Sequence, residues 1–267
     1  MKTTTPIFSA IFQELRLLFR NKLFVLFLVV TLMLMAYGTH GNLELLSLIC
    51  KDWSCPGVDT SGRTPILNWI PWDREFISFV LGFFLLVLVP CAIIKWGFKA
   101  DLADYGLAWP ARDKRKSALV LFLGLTLVSA IGFYTASLDK GMQALYPFYK
   151  TFSSPGEFFL YELTYFPFFM VIEFVFRGYL LMGLANTARD ANNGPAALAV
   201  IIAMIPYCVW HIGKPLTELW TTPIWGLVAG TGVYLVRSVW PVLMAHWLLN
   251  IWLDGLILHH LHLAPFN

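Results

Sequence analysis

Charge is scarce in this chain. Of its 267 residues, 13% are Asp, Glu, Lys or Arg and 58% are hydrophobic, giving a mean hydropathy of +0.67. That balance excludes an ordinary soluble domain and points to a polytopic membrane protein. A net charge of only +3, unevenly placed, offers no footing for nucleic acid. Cysteine is rare as well, at four residues. Cys91 and Cys208 fall in apolar runs and read as small packing residues. Cys50 and Cys55 fall in a polar stretch, where a short-loop disulfide and two free thiols are both open. There is no low-complexity tract, no internal repeat and no H-E-x-x-H zinc spacing.

Long apolar runs are what the chain has instead. About seven segments are long enough, or nearly so, to cross a bilayer as helices, so the expected fold is an all-α transmembrane bundle. They are Leu23–Gly38, Phe76–Trp96, Ala118–Ser137, Phe158–Leu184, Pro195–Trp210, Pro223–Val236 and Trp240–Leu258. Met1–Lys22 has an apolar face and a basic one, which suits an interfacial helix. The basic residues before the first run, and the cluster Arg112, Lys114, Arg115 and Lys116, place the N-terminus and the Asp101–Lys116 loop in the cytoplasm. Gly41–Glu75 then lies outside, with Trp53, Trp69 and Trp72 as expected interface anchors. Gly226, Ala229, Gly230 and Gly232 give one helix a small-residue surface for close packing. Residues 1–97 form an N-terminal part and 98–267 the expected core.

Within the spans a few ionisable residues stand alone. Glu173 and Arg177 are four apart in an otherwise apolar helix, so they share a face. A charge near the middle of a span costs about 2.5–3.5 kcal/mol on insertion scales, which makes such a residue a functional candidate. An internal ion pair that only sets helix orientation is the plainer reading. His211 ends another run, and His246, Asn250 and Asp254 lie at steps of four on one face of the last. Pro167 and Pro206 lie shortly before Glu173 and His211, and each frees a helix carbonyl, as suits a hydrated cavity. A carboxylate, two imidazoles and an amide meeting there would suit amide cleavage by water. Glu173 would take a proton from the water, while His211 or the His246 and Asn250 pair would stabilise charge on the carbonyl oxygen.

Three motifs in order carry a resemblance. They read Glu173-Phe174-Val175-Phe176-Arg177-Gly178, Tyr207-Cys208-Val209-Trp210-His211 and His246-Trp247-Leu248-Leu249-Asn250. With Asp104-Tyr105-Gly106-Leu107 ahead of them, the region Asp101 to Asp254 resembles the CAAX protease and bacteriocin-processing (Abi) family of intramembrane glutamic proteases. The resemblance implies catalytic roles for Glu173, His211, His246 and Asn250, and a supporting one for Arg177. It also implies chemistry without metal or cofactor. The family's first motif has two glutamates, the first held to activate the water, and Ile172 occupies that place here.

The expectation is therefore an endopeptidase of a bacterial inner (plasma) membrane, acting on a membrane-associated protein or a C-terminal tail. Its partners would be the lipid bilayer and a protein or peptide substrate, with no nucleic acid. Ile172 supports an alternative, an inactive relative that binds a peptide or partner without cutting it. A zinc site of Glu173, His211 and His246 is ranked lower for want of zinc spacing. So is a transporter, because the halves lack matched interruptions.

Overall fold

The computed structural model describes residues 16–18, 20–37, 70–190 and 198–266. Their regular structure is helical, with no strand among them. The helices are α1 (Lys22–Tyr37), α2 (Asp73–Gly97), α3 (Arg112–Ser137), the short α4 (Lys140–Leu145), α5 (Pro155–Arg189), α6 (Leu198–Trp210), α7 (Leu216–Val236) and α8 (Trp240–His260). Five of them, α2, α3, α5, α7 and α8, are long and apolar enough to cross a membrane, and α1 and α6 are shorter apolar helices. The protein is an integral membrane helical bundle. Among the described residues, each of the seven expected runs is helical. The expected interfacial helix over Met1–Lys22 lies mostly outside the described residues, as do Cys50, Cys55, Trp53 and Trp69.

Helix α5 is the axis of the bundle, and its apolar stretch is buried along its whole length. It starts at a capping box: Ser154 Oγ accepts the Glu157 N–H, while the Glu157 carboxylate accepts the Ser153 N–H. Its first half packs on α2 and α8, and its second half on α1, α6 and α7. Helix α3 stands outside this ring, against α8 and α7. At Phe174–Met182 the α5 backbone widens into π-helical turns. Such turns are uncommon and cluster at functional sites; this one begins directly after Glu173.

Small residues let these helices approach. A Cβ on Gly178 would stand 2.8 Å from the backbone oxygen of Tyr105, so only glycine lets the Leu102–Tyr105 turn lie against α5. That turn is held on its other side too. The Val239 N–H bonds the Gly106 carbonyl, Ser238 Oγ bonds Ala108 O, and Trp240 Nε1 bonds Leu107 O. On α7, Gly226 faces Met204 and Tyr207 of α6, while Gly232 faces Leu121 of α3, in line with the expected small-residue packing.

Three local expectations are corrected. Helix α7 begins at Leu216, not Pro223. A proline within a helix withholds one N–H, and here Thr221 and Thr222 hydroxyls bond the carbonyls of Thr217 and Glu218 in the adjoining turn. Helix α5 continues past Leu184 to Arg189, where Asn186 bonds Asp104 O and Arg237. Trp72 is not an interface anchor: it is buried at 1% exposure. Its ring packs on Tyr149, Phe152 and Tyr161, and its indole N–H bonds Thr164.

Candidate active site

Glu173 lies on α5 with no exposed surface. Its Oε1 stands 2.7 Å from His246 Nδ1 on α8 and 3.5 Å from Trp225 Nε1 on α7. Its Oε2 stands 3.4 Å from Arg177 Nη1, one turn along. A carboxylate only accepts, so the His246 proton at this contact sits on Nδ1 and the other ring nitrogen is left free. The Arg177 guanidinium lies 3.8 Å from the centre of the Tyr207 ring on α6, a cation–π contact that adds a second partner to its charge. Residues from four helices thus surround one buried carboxylate.

Beside this group is a cavity of about 610 Å³. Ile172, His211, His246 and Asn250 all line it, together with Phe168, Phe169 and Tyr207. Glu173 does not; its carboxylate is shut behind the His246 ring. It is Ile172, one residue earlier on the helix, that meets the cavity. His211 follows directly on α6, a short helix that stops at Trp210 and delivers the next residue to the cavity wall. His211 Nδ1 lies 2.7 Å from the Tyr207 carbonyl, one of the orphan acceptors at the helix end. That carbonyl fixes the proton on Nδ1, which leaves Nε2 as the nitrogen for other partners.

Asn250 reaches the cavity, but its amide nitrogen is spoken for. It bonds Glu162 Oε2 at 3.3 Å and Asp254 Oδ2 at 3.0 Å. Glu162, Asn250 and Asp254 form a second polar group within the bundle, all of them buried. One turn before Asn250, Trp247 donates to the Glu162 carbonyl at 2.9 Å, in the stretch of α5 that Pro167 loosens. Asn250 and Trp247 therefore fix α8 against α5 in the turn that directly follows His246.

A third group was missed in the sequence. Lys214 and Glu218, one helical turn apart, both line the cavity. Lys214 Nζ lies 2.7 Å from Glu218 Oε1 and 3.0 Å from the Tyr146 hydroxyl. The Tyr146 hydroxyl is 3.0 Å from Glu218 Oε2, and His211 Nε2 is 3.6 Å from Glu218 Oε1. The segment bearing Tyr146 is anchored by Asp139, whose carboxylate accepts the Met142 N–H and the Thr217 hydroxyl. Those two bonds hold the Asp139 carboxyl below its ordinary range. The available signal was the four-residue spacing of Lys214 and Glu218 directly after His211.

Residues 155–252 match the family model described as Rce1-like, type II CAAX prenyl endopeptidase. Over that segment the chain is similar to the CAAX prenyl endopeptidases. The match takes in Glu173, Arg177, His211, His246 and Asn250, and it starts later than the Asp101 boundary of the resemblance. No curated protein and no solved structure matches the chain. The matched segment comprises α5 through most of α8, the helices whose side chains meet around Glu173.

Proposed function

We propose that the protein is an intramembrane endopeptidase that cleaves a membrane-associated or C-terminal-tail protein substrate with water admitted to the cavity. It would lie in a bacterial inner (plasma) membrane, with its N-terminus and the Asp101–Lys116 loop cytoplasmic. The observation that carries the reading is the meeting of His211 and His246, from separate motifs, on one cavity wall, with Glu173 bonded behind His246. The similarity of the same segment to a protease family supports it.

In this reading Glu173 is a positioning residue. Its carboxylate accepts the Nδ1–H of His246 and so fixes the ring, whose other nitrogen, when it carries a proton, can donate to the scissile carbonyl oxygen. Arg177 pairs that carboxylate from one turn along the helix. His211, with Nδ1 bound to the Tyr207 carbonyl, accepts a water O–H at Nε2. Asn250 braces α8 through Glu162, which differs from the oxyanion role that the resemblance implies for it.

The test is cleavage of a quenched fluorescent peptide anchored in proteoliposomes. Cleavage by wild type that is lost in His246→Ala supports the reading. A folded wild type that binds the peptide without cutting it supports the second reading, a non-cleaving binding protein, which Ile172 on the cavity wall favours.

A further inference from the structure

A hydrolytic cavity needs a group to take the proton of water, and position 172 cannot supply one. Ile172 lines the wall there, while both oxygens of Glu173 are turned to His246, Trp225 and Arg177. Among the described residues that line the cavity, the only carboxylate is Glu218. Its side chain is 18% exposed, where Glu173 has none.

Its surroundings fit a base. Lys214 and Tyr146 keep the carboxylate paired without closing it off. The 3.6 Å from Glu218 Oε1 to His211 Nε2 is too long for a direct hydrogen bond. It does suit a water whose two O–H groups point one to each. His211 Nδ1 is already committed to the Tyr207 carbonyl, so Nε2 offers a lone pair at that point.

We propose that Glu218 is the catalytic carboxylate of this cavity, taking the proton of a water held between its Oε1 and His211 Nε2. The role rests on the endopeptidase reading. In the first step a water O–H bond breaks, the proton passes to Glu218, and the water oxygen bonds the scissile carbonyl carbon. The carbonyl π pair moves onto its oxygen, facing His246 and Lys214. Once Glu218 is protonated, the Lys214 charge has lost its partner and is free to stabilise the oxyanion. In the second step the C–N bond breaks and Glu218 returns the proton to the departing amine. The products are one carboxylic acid and one amine. The carboxylate missing from α5 is thus provided by α7.

The competing role is a structural ion pair with Lys214. E218Q separates the two in the proteoliposome assay, read together with thermal unfolding in detergent. The expected result is a fall in kcat of about 100-fold or more, with KM and the unfolding midpoint unchanged. Return of part of the lost activity in I172E/E218Q would support the role further, because a carboxylate on another helix cannot replace an ion pair on α7. Should E218Q not fold, E218D serves. It keeps the charge beside Lys214 and withdraws it from the water, so kcat falls if Glu218 is the base and stays at the wild-type level if it only pairs Lys214. E218Q or E218D with wild-type kcat overturns the role while leaving the endopeptidase reading intact. A wild type that cleaves nothing overturns both.

Discussion

His246 donates its Nδ1–H to Glu173 Oε1 at 2.7 Å, joining two motifs that stand 73 residues apart in the chain. A carboxylate behind an imidazole orients the ring, as it does in hydrolytic triads. Glu173→Gln keeps the shape but removes that support. Cleavage is expected to fall by about 10² to 10⁴, with expression near that of wild type. Equal activity of the two proteins would remove Glu173 from the reaction.

Arg177 is the cation that balances this buried carboxylate. Arg177→Ala leaves Glu173 unpaired and is expected to lower stability by about 3–5 kcal/mol. Adding Glu173→Gln should recover much of that loss, since the orphan charge is then gone. Thermal unfolding of both variants in detergent measures the coupling, and purely additive effects would show the pair to be independent.

Gly178 faces the Tyr105 carbonyl at a distance that a methyl group cannot share. Gly178→Ala is expected to lower stability by about 1–3 kcal/mol, by pushing the Leu102–Tyr105 turn off α5. An unfolding midpoint equal to that of wild type would mean that the turn yields freely.

Glu173, His211 and His246 each have hydrogen-bond partners other than a metal. Two of the three point at each other, and His211 Nδ1 is bound to a carbonyl. Strong chelators are expected to leave cleavage intact. Loss of activity that returns with added zinc would restore the His₂Glu metal reading.

The proposed cytoplasmic placement of the Asp101–Lys116 loop is open to direct labelling. A cysteine at Lys114 is expected to react with an impermeant thiol reagent only in inside-out vesicles. Reaction in right-side-out vesicles would reverse the topology.

Much of this arrangement is legible in the sequence because it repeats at helical steps. Glu173 with Arg177, and His246 with Asn250, announce shared faces by their spacing alone. Glu162 is different. Its tie to Asn250 depends on how α5 and α8 cross, which no spacing within either helix encodes. Lys214 and Glu218 were obscured by Pro223, which reads as a helix start although α7 begins at Leu216 and runs through it. Trp72 looks like an anchor because its neighbours on the chain are polar, yet Thr164 gives its indole a partner inside the bundle.

The rim of the cavity includes Val120 and Val128 of α3 and Ile224 and Val228 of α7, side chains more than half exposed on the flank of the bundle. An opening on that flank faces lipid tails, not water. A substrate arriving there diffuses in two dimensions, and the quantity that saturates the enzyme is its number per unit area of membrane. Cleavage in vesicles should then slow when the same amount of anchored peptide is spread over more lipid at constant volume. A rate that followed bulk concentration alone would mean entry from the aqueous side.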